Sequence, residues 1–102
     1  MSVDVVRADW DDAFRRLESE RGNARRYRRL LDAVEAVTDE LRARIGQTFT
    51  LDQLAAAYAD VERWGREAVA EHAPYDGWTR DLALIEDAAF AMYARGASDY
   101  TP

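Results

Sequence analysis

Apolar residues recur every three or four positions along most of the chain, a spacing that places them on one face of a helix. No stretch alternates apolar and polar residues over the length of a strand. The composition agrees, because 19 alanines stand against five glycines and two prolines, and alanine is the best helix former. The sequence therefore predicts an all-α protein, an antiparallel helical bundle of three to four helices. Its 102 residues suit a single helical domain over 1–102.

Capping and breaking residues divide this pattern into four helices, at approximately 3–21, 24–45, 51–72 and 79–95. Ser2 is the expected N-cap of the first helix. Gly22-Asn23 is expected to separate the first two helices, with Gly22 at the C′ position and Asn23 as the next N-cap. The seven-residue repeat of core positions nevertheless continues across Gly22, and one glycine inside a helix lowers the stability of the helix by only about 1 kcal/mol. A continuous helix through this pair therefore stays open as an alternative.

The third helix has the clearest predicted start. Thr50 and Gln53 have the spacing of a capping box, in which the threonine hydroxyl accepts from the Gln53 amide and the glutamine side chain returns to the cap. Phe49 and Leu54 occupy the two positions of a hydrophobic staple. Further along, Ala73-Pro74 is expected to end the third helix. Thr79 is the expected N-cap of the fourth helix, which Gly96 would end.

The fourth helix is apolar on almost every side, and such a helix is either central to a core or covered by a partner. A core made with three other helices covers one stripe and part of its flanks, not the whole circumference. Exposed aromatic and aliphatic residues grouped closely are typical of interfaces. We therefore predict that this helix forms an association surface with three partner-binding residues, Leu84, Phe90 and Tyr93. A central position for the helix stays the alternative.

Two adjacent acids, Glu86 and Asp87, interrupt this apolar helix. Burying a charge without a partner is costly. We expect these carboxylates to face solvent at one edge or to meet an arginine, and a role at a partner surface is the alternative.

Charge is distributed unevenly along the chain. All 14 basic residues are arginine and the net charge is −6, which disfavours general nucleic-acid binding. Residues 15–29 nevertheless carry seven arginines against two acids. Within this segment, the arginine run at 21–29 fits a solvated helix face, a contact with an acidic protein surface, or a nucleic-acid contact. Its candidate partner-binding residues are Arg25, Arg26, Arg28 and Arg29.

No residue pattern indicates catalysis or metal binding. The chain has no cysteine, which excludes disulfides and thiolate sites. His72, the one histidine, suits the last turn of the third helix, where the helix dipole favours it. Helical di-iron sites use Glu-x-x-His, which does not occur, and no glycine cluster forms a phosphate loop. We therefore predict no catalytic residue, no cofactor, no metal and no small-molecule ligand.

These observations predict a non-enzymatic protein-interaction module that self-associates as a homo-oligomer or serves as a small subunit of a larger assembly. A nucleic-acid-associated regulator using the arginine-rich segment 15–29 is the alternative, although nucleic acid is not the expected partner. A small-molecule-binding or enzymatic helical bundle is the second alternative. No apolar run is long enough to cross a bilayer, so we expect a soluble cytoplasmic protein with no membrane partner.

Overall fold

The computed structural model describes the backbone of residues 3–72 and 77–100, and the side chains of residues 6–67 and 77–100. Its elements in chain order are α1 (Val3–Glu18), a 3-10 turn (Ser19–Gly22), α2 (Ala24–Ile45), α3 (Leu51–His72) and α4 (Trp78–Ala94). Over these two ranges there is no β-strand, and the helices pack into a compact bundle. The prediction of an all-α helical bundle is confirmed.

The helix is interrupted between α1 and α2, as the Gly22-Asn23 pair predicts. Asn23 is the N-cap of α2, and its side-chain oxygen accepts a hydrogen bond from the Arg26 amide at 3.2 Å. The cap satisfies an amide that the helix end would otherwise leave free. A continuous helix is therefore excluded. The other predicted cap, Ser2, lies outside the described residues.

The end of α1 differs from the prediction in one respect. The α-helix stops at Glu18 rather than near residue 21, because Ser19–Gly22 tighten into a 3-10 turn. Gly22 does not adopt the left-handed conformation of a C′ glycine, since the positive φ values in the described chain belong to Gly46 and Gly77. The Asn23 cap, rather than freedom of the glycine backbone, accounts for the break.

The start of α3 is the predicted capping box. The Thr50 amide donates to Gln53 Oε1 at 2.9 Å, and the Gln53 amide donates to Thr50 Oγ1 at 3.2 Å. Phe49 and Leu54, the two staple residues, are both buried in the core. The boundary at Leu51 therefore agrees with the sequence.

The segment after α4 adds a second anchor at this helix start. Asp99 Oδ1 accepts from the Leu51 amide at 2.9 Å. The amide and the hydroxyl of Ser98 both donate to the Phe49 carbonyl, at 2.9 and 3.2 Å. Residues 98 and 99 thus fasten the C-terminal part of the described chain to the loop between α2 and α3.

Substitution of Thr50 by alanine is expected to lower the free energy of unfolding by about 1 kcal/mol, because the Gln53 amide loses its acceptor. Urea unfolding followed by circular dichroism measures the change. Thr48→Ala is the control, because Thr48 is exposed in the preceding loop. Equal denaturation midpoints for Thr50→Ala and Thr48→Ala would contradict a stabilising role for the cap.

Helix α4 lies at the centre of the bundle and contacts α1, α2 and α3. Its residues 88–91 are consecutive, and each is at most 3% exposed. Successive helical residues point about 100° apart, so four in a row cover most of the circumference. Three of the four are alanine, which allows neighbouring helices to approach closely. The core thus surrounds α4. This is the central position that the sequence left as the alternative to an exposed association surface.

The start of α4 is not where the sequence placed it. Gly77 is the N-cap with φ of 99°, and its carbonyl accepts from the Asp81 amide at 3.1 Å. Trp78, the first helical residue, is buried, whereas Thr79 is exposed inside the first turn. The predicted Thr79 cap is therefore wrong, because the left-handed glycine turns the chain into the helix two residues earlier. The predicted break at Ala73-Pro74 lies outside the described residues.

Candidate functional site

A groove with arginines along its edge follows the first half of α2. It has a volume of about 790 Å³. We call it the basic groove, and it is lined by Arg21, Ala24, Arg25, Tyr27, Arg28 and Leu31. Most of these residues are three or four positions apart, which brings them to one side of the helix. Tyr27 and Leu31 are half-buried and supply its apolar surface.

The three arginines of the basic groove differ in how far they are already paired. Arg21 Nε lies 2.6 Å from Glu18 Oε2, and Arg28 Nε lies 3.8 Å from Asp32 Oδ1. Arg25 is exposed and makes no ion pair within the described part of the chain. Arg29 is likewise exposed but does not line the groove. Arg25 is therefore the cation of this groove with the greatest capacity to pair with an external carboxylate.

Arg26, the fourth predicted partner-binding arginine, points into the protein. Its two terminal nitrogens each lie 3.2 Å from a carboxylate oxygen of Asp81, which is only 6% exposed, and its Nε lies 3.4 Å from Glu20. The hydrogen bonds to Asp81 are the main reason that the pKa of Arg26 is raised above its usual value. Arg26 thus connects α2 to the first turn of α4, and we do not retain it as a contact residue.

The three partner-binding residues predicted on α4, Leu84, Phe90 and Tyr93, lie in different surroundings in the structure. Phe90 is fully buried, with its ring centroid 5.1 Å from that of Trp10 and 5.0 Å from that of Tyr58. Tyr93 is half-buried, stacks on Phe49 at 4.6 Å and donates its hydroxyl hydrogen to the Gly46 carbonyl. Both aromatic side chains therefore pack within the chain itself, and Phe90 is not available at the surface.

Leu84 lies at the surface, in a second groove of about 250 Å³ between α1 and α4. We call it the acidic groove, and it is lined by Asp9, Asp12, Ala13, Arg16, Ala83, Leu84 and Asp87. Three carboxylates face one arginine there, and Arg15, outside the groove, pairs with Asp12. Tyr58 donates a hydrogen bond to Asp87. The sequence indicated Leu84 but not the carboxylates of α1 around it.

Glu86 does not lie at an edge and does not meet an arginine, contrary to expectation. Its side chain is 1% exposed, and neither carboxylate oxygen has a hydrogen-bond partner. Burial is the main cause that raises its pKa to about 8, assisted by the nearby charges of Glu62 and Asp87 and opposed by Arg66. An acid in the middle of an otherwise apolar helix was the available sequence signal, but the surroundings of that acid were not predictable.

The described residues contain no group of three or more metal-ligating side chains close enough to hold an ion. Among the same residues, no helix has the length and apolar character needed to span a membrane. His72 is the last residue of α3, and its side chain lies outside the described part. The chain matches none of the protein-family models, curated proteins or solved structures with which it was compared.

Proposed function

We propose that this protein is a non-enzymatic interaction module that self-associates, with the basic groove of one copy against the acidic groove of the next. The observation that carries the proposal is the presence of two complementary surfaces on one chain. One is lined by three guanidinium groups, of which that of Arg25 makes no ion pair in the described part of the chain, and the other by three carboxylates with a single arginine. Complementary potentials of this kind fix the register of an interface and select the partner.

Each groove also offers apolar contact area beside its charges. Tyr27 and Leu31 are half-buried in the basic groove, and Leu84 is half-buried in the acidic groove. Apolar burial supplies most of the driving force of association, whereas exposed ion pairs contribute only about 0–1 kcal/mol each. The combination is consistent with an interface that is weak and sensitive to salt.

The proposed contact uses one groove from each copy and leaves the other pair free, so it is head-to-tail rather than two-fold symmetric. Head-to-tail contacts produce rings when the rotation closes and open chains when it does not. We therefore expect association to continue beyond a dimer as the protein concentration rises.

Charge reversal tests this arrangement. Arg25→Glu/Arg28→Glu reverses two charges of the basic groove, and Asp9→Arg/Asp12→Arg reverses two charges of the acidic groove. In sedimentation velocity at low salt and on the order of 100 µM protein, the parent is expected to associate and each double variant to be monomeric. An equimolar mixture of the two variants is expected to associate again, because each supplies the groove that the other lacks.

Arg42→Glu/Arg44→Glu is the matched control. It reverses the same number of arginines on the same helix, away from both grooves, and is expected to associate like the parent. A parent that stays monomeric at every concentration would refute self-association. Failure of the mixture to associate would refute the pairing of the two grooves.

The same variants examine the nucleic-acid alternative. Parent protein and a fluorescent DNA duplex are titrated at low salt and at about 0.5 M salt, where the Debye length is only a few ångströms. We expect no binding, because Arg26 is occupied by Asp81 and the remainder of the chain is acidic. A salt-sensitive affinity that Arg25→Glu/Arg28→Glu abolishes would favour the nucleic-acid function instead.

A further inference from the structure

A buried carboxyl group lies at a tight contact between α3 and α4. A Cβ atom built on Gly65 of α3 would be 2.6 Å from Glu86 Oε1 and 3.1 Å from Leu82 Cδ1, so that the side chains of α4 occupy the space of a side chain at position 65. The Gly65 carbonyl also accepts a hydrogen bond from Trp78 Nε1 at 3.1 Å. The carboxyl group of Glu86 is therefore packed directly against the backbone of α3.

The surroundings of Glu86 favour its neutral form. Both carboxylate oxygens are buried without a hydrogen-bond partner, and a buried charge without such partners is costly. Glu62 of α3 and Asp87 of α4 add negative charge nearby. Arg66 of α3 opposes them, but its NH1 lies 3.1 Å from Glu62 Oε1 and its side chain is 59% exposed. The positive charge of Arg66 is thus already shared with Glu62 and with solvent.

We propose that Glu86 is a proton-sensitive lock between α3 and α4, closed while the carboxyl group is neutral and loosened when it ionises. Ionisation places a charge against the Gly65 backbone, near the negative charges of Glu62 and Asp87 and away from water. Relief requires α3 and α4 to separate enough to admit water. The device does not depend on self-association of the protein.

The sign of the pH dependence follows from the proton balance. Burial raises the pKa of Glu86 to about 8 in the folded protein, from 4.5 for an ordinary glutamate. Between these values the folded state holds a proton that the unfolded state has released, so stability falls as the pH rises. The stabilising contribution is complete below pH 4.5 and is lost as the pH rises through about 8.

Glu86→Gln provides the test, because the amide has nearly the same shape and cannot ionise. Urea unfolding is measured for parent and variant from about pH 5 to about pH 9. The ratio of the parent's unfolding constant to that of Glu86→Gln is expected to rise by about tenfold per pH unit until it levels off near pH 8. Glu35→Gln, on the exposed face of α2, is the control and is expected to retain the parent's pH dependence.

Carbon-13 NMR of the Glu86 carboxyl group in the parent gives an independent answer, even if Glu86→Gln does not fold. A titration midpoint far above 4.5 supports the lock, and a midpoint near 4.5 overturns it. A Glu62→Gln variant is expected to lower that midpoint, because it removes one of the two negative neighbours. Hydrogen exchange completes the test, since backbone amides around Gly65 should exchange faster above the midpoint after correction for the intrinsic effect of pH. Unchanged protection there would contradict the loosening of α3 against α4.

Discussion

Truncation of Phe90 to alanine is expected to lower the free energy of unfolding by about 4 kcal/mol, a typical loss when a large aromatic side chain is removed from a core. Phe90 is fully buried and forms a cluster of three mutually contacting rings with Trp10 and Tyr58. The truncation removes apolar contacts and leaves a cavity that three helices cannot close without moving. Urea unfolding followed by tryptophan fluorescence measures the loss.

Met92→Ala is the control for this truncation. Met92 is on the same helix but is 39% exposed, so its replacement is expected to change stability by less than about 1 kcal/mol. A Phe90→Ala protein as stable as the parent but altered in association would return Phe90 to a partner surface. Equal losses for the two variants would show that α4 is less central than its burial indicates.

Replacement of Gly65 by valine is expected to destabilise the protein by about 2–3 kcal/mol, because it inserts a branched side chain into a packed contact. Even a methyl group at this position would lie 2.6 Å from Glu86 Oε1. Valine is a better helix residue than glycine by only a few tenths of a kcal/mol, so the overlap decides the sign.

Another glycine of the same chain supplies the matched control for Gly65→Val. A Cβ atom on Gly22 would meet no atom within 4 Å. Gly22→Val is therefore expected to leave the urea midpoint close to that of the parent. If Gly65→Val and Gly22→Val have equal midpoints, the close approach of α3 and α4 at Gly65 is not a feature of the protein in solution.

The sequence was most informative where a structural signal is local. The cap formed by Thr50 and Gln53 and the cap formed by Asn23 depend on residues within three positions of each other. Their geometry is therefore set by the helix itself and can be predicted without knowledge of the fold. The start of α4 shows the limit of such rules, because the conformation of Gly77 and the burial of Trp78 took precedence over the capping preference of Thr79.

The candidate site was only partly predictable, because its components come from different helices. The arginine-rich segment was evident, but only the fold shows that Arg26 reaches Asp81, 55 positions away, while Arg25 stays exposed. Periodicity could not show how α4 would be covered, since a helix that is apolar all round has no unique buried face. The contact of Glu86 with Gly65 likewise joins two different helices, and nothing in the sequence around either residue predicts that the two meet.

The central helix of this bundle is also the last helix of the described chain, and this order affects biosynthesis. Helices α1, α2 and α3 all contact α4, so their apolar faces lack their main cover until α4 has left the ribosome. Asp99, whose carboxylate accepts a hydrogen bond from the Leu51 amide, leaves the ribosome later still. We therefore expect nascent chains to stay loosely packed until residues 78–99 become available and to consolidate only then. Ribosome-bound chains stalled before and after α4 should accordingly differ sharply in resistance to protease.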